Sequence, residues 1–206
     1  IAAVLSQGFK TAKTQGNLNN HIGLPKTVFS LKEDDDIAVL EMGMNHFGEI
    51  SVLSRAAKPD VVVLTYIGES HIEFLGSREN ILKAKLEILE GASETAPVIV
   101  NDDNDLLASL NLEGRRIIRI SIDNPKADIY AKNIVEGSEG SRFDIYVGGE
   151  FFVNAYLSSI GTHNIRNSLI AVAVGLEFGL CEMQIAAGLA AYTPSGMRQN
   201  ITKSHG

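Results

Sequence analysis

The chain has 206 residues, which corresponds to one or two domains of ordinary size. Its 45% hydrophobic and 21% charged residues exclude a disordered or low-complexity chain. The net charge of −7 argues against non-specific binding to nucleic acid, and no apolar run approaches the roughly 20 residues of a membrane span. The single cysteine, Cys181, fits a reducing cytoplasm.

The two ends of the sequence predict a piece of a longer protein. Residues 1–5 read as the last turns of a helix that ends at Gly8, and there is no initiator Met. Residues 201–206 carry no recognisable cap or final helix. We therefore expect a chain cut at both ends.

The first two thirds of the chain alternate strand-like and helix-like segments. Short apolar runs predict buried strands, and capped periodic segments predict helices. The expected strands are residues 37–40, 61–64, 98–100 and 116–120; the expected helices are residues 48–58, 78–90 (capped by Ser77) and 103–110. This order predicts an α/β fold, with a mostly parallel sheet flanked by helices.

The pattern changes after Pro125. Three short strands, residues 129–135, 143–147 and 151–157, are separated by glycine-rich turns and predict a small antiparallel meander appended to the sheet. A helix capped by Thr162 then runs to about Phe178, and a second helix covers residues 182–191. Residues 194–196 (P-S-G) are typical of a linker.

Polar residues follow the predicted strands, where ligands bind in open parallel sheets. Glu41 follows the first strand, His71 lies in the loop after the second, and residues 101–104 (N-D-D-N) follow the third. Taken singly, each set is typical of solvated loops and helix caps. A carboxylate and an imidazole at one sheet edge indicate a metal or catalytic site, although magnesium normally prefers oxygen ligands.

Lys85 shares the inward face of its predicted helix with Ile81 and Ile88, whereas Lys83, Glu87 and Glu90 fall on the opposite, wet face. A buried ammonium is costly, so Lys85 needs a partner or chemical neutralisation. The alternative is a lysine at the edge of the core that extends its amine to water.

Two further polar segments could each bind a ligand or serve only the local structure. Asn164 and Asn167 share one face of a helix start, where amides suit an adenine edge but also serve as caps. The loop of residues 14–20 (T-Q-G-N-L-N-N) suits a phosphate-bearing or polyhydroxylated ligand, or is a simple turn. No segment matches the Walker phosphate loop G-x-x-x-x-G-K-[ST].

Four motifs, in order and spacing, resemble the central domain of the Mur ligases. They are residues 14–25 (T-Q-G-N-L-N-N-x-I-G-x-P), 41–50 (E-x-G-x-N-H-x-G-E-I), 71–77 (H-x-E-x-x-G-S) and 84–87 (A-K-x-E). Among the family they look most like the members that add D-Ala-D-Ala to a UDP-N-acetylmuramoyl tripeptide. The resemblance implies that residues 1–192 are the central ATP-binding domain and residues 193–206 the hinge into the next one.

The resemblance implies ATP-driven amide formation through an acyl phosphate, with magnesium neutralising the crowded charge. Glu41 and His71 match the family's magnesium ligands, and Lys85 matches a lysine that becomes carbamylated. His163, Asn164, Asn167 and Arg198 match nucleotide contacts. The expected contacts to the UDP-muramoyl peptide are Thr14, Asn17, Asn19, Asn20 and Asn45.

The family pattern also implies N- and C-terminal domains and a phosphate loop upstream of Ile1. Lacking these, the 206-residue piece is expected to be inactive alone, and the choice of the third tripeptide residue is expected to belong to the N-terminal domain. Two other readings remain: another ATP-dependent amide ligase, similar to folylpolyglutamate synthase, and a non-catalytic nucleotide-binding or scaffold protein.

Overall fold

The computed structural model describes residues 1–193. The helices are α1 (Ala2–Leu5), α2 (Gly23–Phe29), α3 (Glu49–Ala57), α4 (Ile72–Leu75), α5 (Arg78–Leu86), α6 (Asp105–Ala108), α7 (Thr162–Glu177) and α8 (Glu182–Ala190). The strands are β1 (Thr11–Lys13), β2 (Ile37–Val39), β3 (Val62–Leu64), β4 (Val98–Asn101), β5 (Ile117–Ser121), β6 (Ile129–Gly137), β7 (Gly140–Val147) and β8 (Glu150–Leu157). No helix in this part of the chain is both long and apolar enough to cross a membrane.

The main sheet has six strands in the order β3-β4-β5-β6-β7-β8. Strands β3 to β6 run parallel, and β6, β7 and β8 form an antiparallel meander. The predicted α/β class with an appended meander is therefore confirmed. The long strand β6 belongs to both parts, because its first residues pair with β5 and it pairs with β7 on either side of an irregularity between Lys132 and Val135.

Helices cover the parallel sheet on both faces, as the side chains of β4 show. Ile99 faces an apolar core built with α1, α7 and α8, whereas Val98 and Val100 face a second core beneath α3 and α5. All three residues are fully buried. Because successive side chains of a strand point to opposite faces, this alternation means that the sheet lies between two cores.

The first predicted strand lies outside the main sheet. β2 pairs only with β1, in a two-stranded parallel sheet. The expectation that both faces of β2 are covered is wrong, because Ile37 and Val39 pack against the core whereas Ala38 is exposed. A run of four apolar residues hides this alternation, since alanine is compatible with either face.

The helix boundaries differ from the predictions in three places. Ser77 caps α5 as predicted, accepting a hydrogen bond from the backbone N–H of Asn80. That helix ends at Leu86 and continues as a 3₁₀ turn, Glu87–Glu90. Thr162 does not cap α7: the cap position is Gly161, at φ 101°, a conformation that favours glycine. The helix expected at residues 103–110 is only Asp105–Ala108.

Candidate active site

Three of the four motif segments approach one another at the carboxyl edge of the strands. The loop after β2 meets α4 through His46 and Phe74, whose ring centroids are 5.2 Å apart. The same loop meets α5 through Phe47, with the Lys83 amine 5.9 Å from its ring centroid. The segments that carry Glu41, His71 and Lys85 therefore share one region of the surface.

Glu41 lies two residues beyond the end of β2 and is exposed. Its Oε1 accepts a hydrogen bond from Asn19 Nδ2 at 2.9 Å, and its backbone N–H donates to Thr14 Oγ1 at 2.9 Å. Within residues 1–193, no basic side chain forms an ion pair with Glu41. Among the described residues the carboxylate is held by a neutral amide and not by a cation.

His71 immediately precedes α4 and is half-buried. Its backbone lies in the left-handed region, at φ 69°, which costs a residue other than glycine about 1–2 kcal/mol. The helix stabilises this conformation, because the His71 carbonyl accepts hydrogen bonds from the N–H groups of Phe74 and Leu75. Such local strain in the loop after a buried strand is typical of functional positions.

The Lys85 amine donates to the backbone carbonyl of Tyr66, in the loop after β3, at 2.8 Å. Burial lowers the pKa of Lys85. No carboxylate in residues 1–193 lies within ion-pair distance of this amine. The side chain is thus half-buried without a counter-charge, which is a costly arrangement unless the amine reacts or binds a ligand.

Glu87, expected on the wet face of its helix, is half-buried instead. Its carboxylate accepts hydrogen bonds from the N–H groups of Gly48, at 2.7 Å, and Ser51, at 3.3 Å. It therefore caps α3 from another helix, since Gly48 has no side chain to do so. This contact ties the segment that carries Lys85 to the end of the Glu41 loop.

These residues do not by themselves form a complete metal centre. Within residues 1–193, no three His, Cys, Asp or Glu side chains are arranged to hold a metal ion. The expected set of Glu41 and His71 contributes only two such side chains, and an unmodified lysine is not a ligand for magnesium. Their roles as metal ligands remain a prediction.

The predicted nucleotide contacts lie at the start of α7 and differ in their hydrogen bonds. Asn164 is half-buried, and its Nδ2 donates to Ser159 Oγ and to the Ile160 carbonyl, both at 2.8 Å. His163 and Asn167 are exposed. Arg198 lies outside the described residues. The Asn164 amide nitrogen is thus bonded within the protein, and Asn167 is the more exposed of the two asparagines.

The loop of residues 14–20 is occupied largely by internal hydrogen bonds. Thr14 and Asn19 both bond Glu41, and Asn20 Oδ1 accepts from the N–H groups of Ile22 and Gly23 at the start of α2. Asn17 is exposed. Asn45 is also exposed, and its backbone N–H donates to Glu49 Oε2 at 2.7 Å, which lowers the pKa of Glu49.

The sequence analysis missed an ion-pair network that joins the ends of β4 and β5 to α7. Arg166 donates from Nε to Asp103 Oδ2 at 2.6 Å and from Nη2 to Asp123 Oδ2 at 3.1 Å. Arg119 pairs with Asp102 at 2.8 Å. Asp103 was visible only as part of a polar run, and a pairing across 63 residues carries no local signal in the sequence.

A cleft of about 470 Å³ lies beside this network. It is lined by residues 66–69, Arg78 and residues 103–105. Two side chains hold its wall by donating to the Ile67 carbonyl: Arg78 at 3.0 Å and Asn104 at 3.1 Å. The cleft therefore adjoins the Tyr66 carbonyl that binds Lys85.

Comparison with known proteins identifies the class to which this fold and site belong. The model of the Mur ligase middle domain matches residues 1–175, and the chain belongs to the Mur ligase family.

Among its relatives is the UDP-N-acetylmuramoyl-tripeptide–D-alanyl-D-alanine ligase of Bacillus subtilis, 40% identical over 205 residues, which cover 99% of this chain and 43% of that protein. The chain thus spans less than half the length of this relative.

Solved structures agree with this assignment. A crystal structure of MurF from Acinetobacter baumannii is 28% identical, with a TM-score of 0.91, over 98% of this chain and 44% of that one. The MurF ligase from Thermotoga maritima in complex with ADP is 26% identical, with a TM-score of 0.79, over 89% of this chain and 43% of that one. The apo form of L. casei FPGS, at 17% identity and a TM-score of 0.69 over 92% of this chain and 58% of that one, shares the fold alone.

Proposed function

We propose that this chain is the nucleotide-binding part of an ATP-dependent amide ligase that adds D-Ala-D-Ala to a UDP-N-acetylmuramoyl tripeptide in peptidoglycan precursor synthesis. The similarity to the Bacillus subtilis ligase along nearly the whole chain supports this reaction. The observation that carries the proposal is the Lys85 amine, half-buried without a carboxylate partner in residues 1–193, beside the loops of Glu41 and His71.

The donor set fits magnesium only if Lys85 is modified. A lowered pKa increases the share of neutral amine, which is the form that adds CO2. In that step a bond forms between Nζ and the carbon of CO2 and one proton is lost, which leaves a carbamate anion. Together with Glu41 this supplies two anionic oxygen groups, with His71 as an additional ligand.

Magnesium bound there, together with ATP, would neutralise charge on the transferred phosphoryl group. The residues of this chain would hold the metal ion and orient the nucleotide. Glu41 presents its carboxylate from a strand end, and the Tyr66 carbonyl fixes Lys85 Nζ. Asn167 and His163 are the exposed residues among the proposed adenine contacts, and Asn164 and Arg198 are further candidates.

The proposed substrate side comprises Thr14, Asn17, Asn19, Asn20 and Asn45. Asn17 and Asn45 are the preferred candidates, because both are exposed and the other three side chains already bond Glu41 or α2. Partner domains on either side are proposed to complete the site, since no segment of this sequence matches a phosphate loop. We place the reaction in the cytoplasm, in keeping with the single cysteine.

The test measures phosphate release by the full-length protein that carries this domain, given ATP, the UDP-tripeptide and D-Ala-D-Ala. Glu41→Gln and Lys85→Ala are expected to lower kcat by more than about a hundredfold. Lys126→Ala is the control, because this exposed lysine lies outside the four motif segments. Full activity of Lys85→Ala would refute the assignment.

Two further outcomes separate the alternatives. Turnover with a folyl substrate and glutamate, but not with the UDP-tripeptide, would favour the folylpolyglutamate synthase-like reading. Absence of any ATP turnover in the full-length protein would favour the scaffold. The 206-residue chain alone is expected to release no phosphate, and robust turnover by it would contradict the requirement for a phosphate loop outside this sequence.

A further inference from the structure

Asn19 bridges two of the motif segments by two hydrogen bonds to the stretch of chain that begins at Glu41. Its Nδ2 donates to Glu41 Oε1 at 2.9 Å, and its backbone carbonyl accepts from the N–H of Gly43 at 2.7 Å. Thr14 completes the contact, because its hydroxyl accepts from the Glu41 N–H. Both the backbone and the side chain of Glu41 are therefore set by the loop of residues 14–20.

The glycine at position 43 makes this bridge possible. A Cβ built on Gly43 would lie 3.0–3.2 Å from three side-chain atoms of Asn19, tighter than ordinary contact. A larger residue would push the Asn19 amide away from the carboxylate. The spacing of Glu41 and Gly43 thus serves the contact with Asn19.

The chemical nature of the donor is informative. An arginine or lysine at position 19 would orient the carboxylate but also neutralise it, and it would compete with any cation. An amide fixes one carboxylate oxygen and leaves the negative charge intact. The bond engages Oε1, so the Oε2 lone pairs are directed elsewhere.

We infer that Asn19 is a positioning residue for Glu41: it holds one carboxylate oxygen so that the other is presented to a divalent cation. This inference rests on the proposed function, in which Glu41 is a metal ligand. It differs from the substrate contact expected for Asn19, because it predicts an effect on metal affinity and not on the affinity for the UDP-tripeptide. Outer hydrogen bonds of this kind typically change metal affinity by about 10–100-fold.

The test uses Mn2+ as the probe on the full-length protein with ADP, with bound Mn2+ measured by electron paramagnetic resonance. Glu41→Gln first identifies the Mn2+ site that depends on this carboxylate. Asn19→Ala is expected to weaken Mn2+ at that site about tenfold and to raise the half-saturating Mg2+ concentration in turnover. The KM for the UDP-tripeptide should stay unchanged.

Asn19→Asp separates positioning from packing. It keeps the shape of the side chain but places a second carboxylate against Glu41, so the metal-free protein should melt at a lower temperature. Added Mn2+ should relieve that repulsion, so its affinity should equal or exceed that of the wild type. Gln15→Glu is the charge control, because it adds a carboxylate to the same loop at an exposed side chain that bonds only the Lys13 carbonyl among residues 1–193, and Mn2+ affinity should not change.

Three outcomes would overturn the inference. Mn2+ affinity falling alike in Asn19→Ala and Asn19→Asp, in step with their melting temperatures, would show a packing role only. A higher KM for the UDP-tripeptide with unchanged Mn2+ affinity would show a substrate contact. If Glu41→Gln itself leaves Mn2+ binding unchanged, the proposed metal role of Glu41 falls and this inference falls with it.

Discussion

Two carboxylates at the same edge of the fold are held in opposite ways. Asp103, after β4, has a side chain only 3% exposed, and it accepts hydrogen bonds from Ser121 Oγ, the Ile122 N–H and Arg166 Nε. Glu41, after β2, is exposed and accepts one side-chain hydrogen bond from the described part of the chain. The first carboxylate is fully occupied by its own protein, whereas the second keeps lone pairs and charge for a ligand.

The same contrast extends to the cations of the two regions. Arg166 lies between Asp103 and Asp123, and Arg119 is paired with Asp102. Lys85 has only a carbonyl partner among the described residues. Polar groups saturated within the fold stabilise it, and polar groups with few partners are where chemistry is available. The ion pairs that join β4, β5 and α7 are thus the structural support, and the region of β2, β3 and α5 is the proposed reactive side.

The largest expected effect is on stability and follows from removing Arg166, which belongs to the ion pairs of the support. Arg166→Ala leaves the Asp103 carboxylate buried without its cation, which is expected to lower the free energy of unfolding by about 3 kcal/mol. Arg55→Ala is the matched control: its pair with Glu90 has side chains 67% and 44% exposed, and its loss should cost less than about 1 kcal/mol. Urea unfolding of the 206-residue chain measures both. Equal costs would remove the distinction between the two regions.

The contribution of Asp103 to the stability of the fold should depend on pH. Burial alone would raise the pKa of Asp103, but hydrogen bonds from Ser121, the Ile122 N–H and Arg166 outweigh it and hold the pKa below its usual range. A carboxylate with a depressed pKa in the folded state stabilises the fold above its unfolded pKa of about 3.9, and this stabilisation is lost as the pH falls through the folded pKa.

The stability advantage of the wild type over Asp103→Asn should therefore be present at pH 6 and should shrink, by on the order of 1 kcal/mol, as the pH is lowered below 4. Urea unfolding at a series of pH values measures this double difference, in which the exposed carboxylates common to both proteins cancel. A difference independent of pH would mean that Asp103 stabilises by shape alone.

The contrast between the two regions also explains what the sequence could predict. Strands β3 to β8 and helices α7 and α8 have clear apolar runs, glycine turns or caps, so their order and the α/β class follow from local patterns. Strand β1 (T-A-K) and helix α4 (I-E-F-L) are too short for such a pattern and were missed. The strand β2 was predicted, but it was expected to be covered on both faces. This expectation is wrong because β2 pairs with β1 and not with the main sheet.

The candidate residues of the proposed reactive side have a clearer signal in the sequence than the ion pairs of the support. Lys85 stands out because a cation on an apolar helix face is anomalous, and Glu41 because it ends an apolar run. The partners that distinguish their roles were not predictable, because Asn19 lies 22 residues from Glu41 and the Tyr66 carbonyl has no side-chain signal. Hydrogen bonds over such separations depend on tertiary structure.

Asn164 and Asn167 allow the same comparison within one helix. Asn164→Ala removes two hydrogen bonds, to Ser159 and the Ile160 carbonyl, and should cost about 1–2 kcal/mol of stability. Asn167→Ala changes an exposed side chain, so the stability should stay within about 0.5 kcal/mol of the wild type.

Only Asn167→Ala is expected to weaken ADP binding to the full-length protein without loss of stability, by about tenfold for one lost hydrogen bond. Thermal denaturation and calorimetric titration with ADP separate the two effects. The reverse pattern, with a stable Asn164→Ala that binds ADP poorly, would assign the adenine contact to Asn164.

The smallest expected effect is the loss of folding stability caused by the half-buried Lys85 amine. Burial lowers the pKa of Lys85, so the unfolded chain binds its proton more tightly than the folded chain. The amine therefore destabilises the fold at pH 7, and this penalty diminishes as the pH rises through the folded pKa toward the unfolded value of about 10.4. Lys85→Met should thus be more stable than the wild type at pH 7, by less than about 1 kcal/mol, with a smaller advantage at pH 10.

Urea unfolding in buffer purged of CO2 measures this difference without the carbamate. Lys83→Met, on the exposed face of the same helix, is the control for the loss of a lysine side chain. If Lys85→Met is instead less stable than the wild type at pH 7, the hydrogen bond to Tyr66 outweighs the desolvation of the amine. Lys85 would then belong with the saturated side chains of the support, and the observation that carries the proposed function would lose its force.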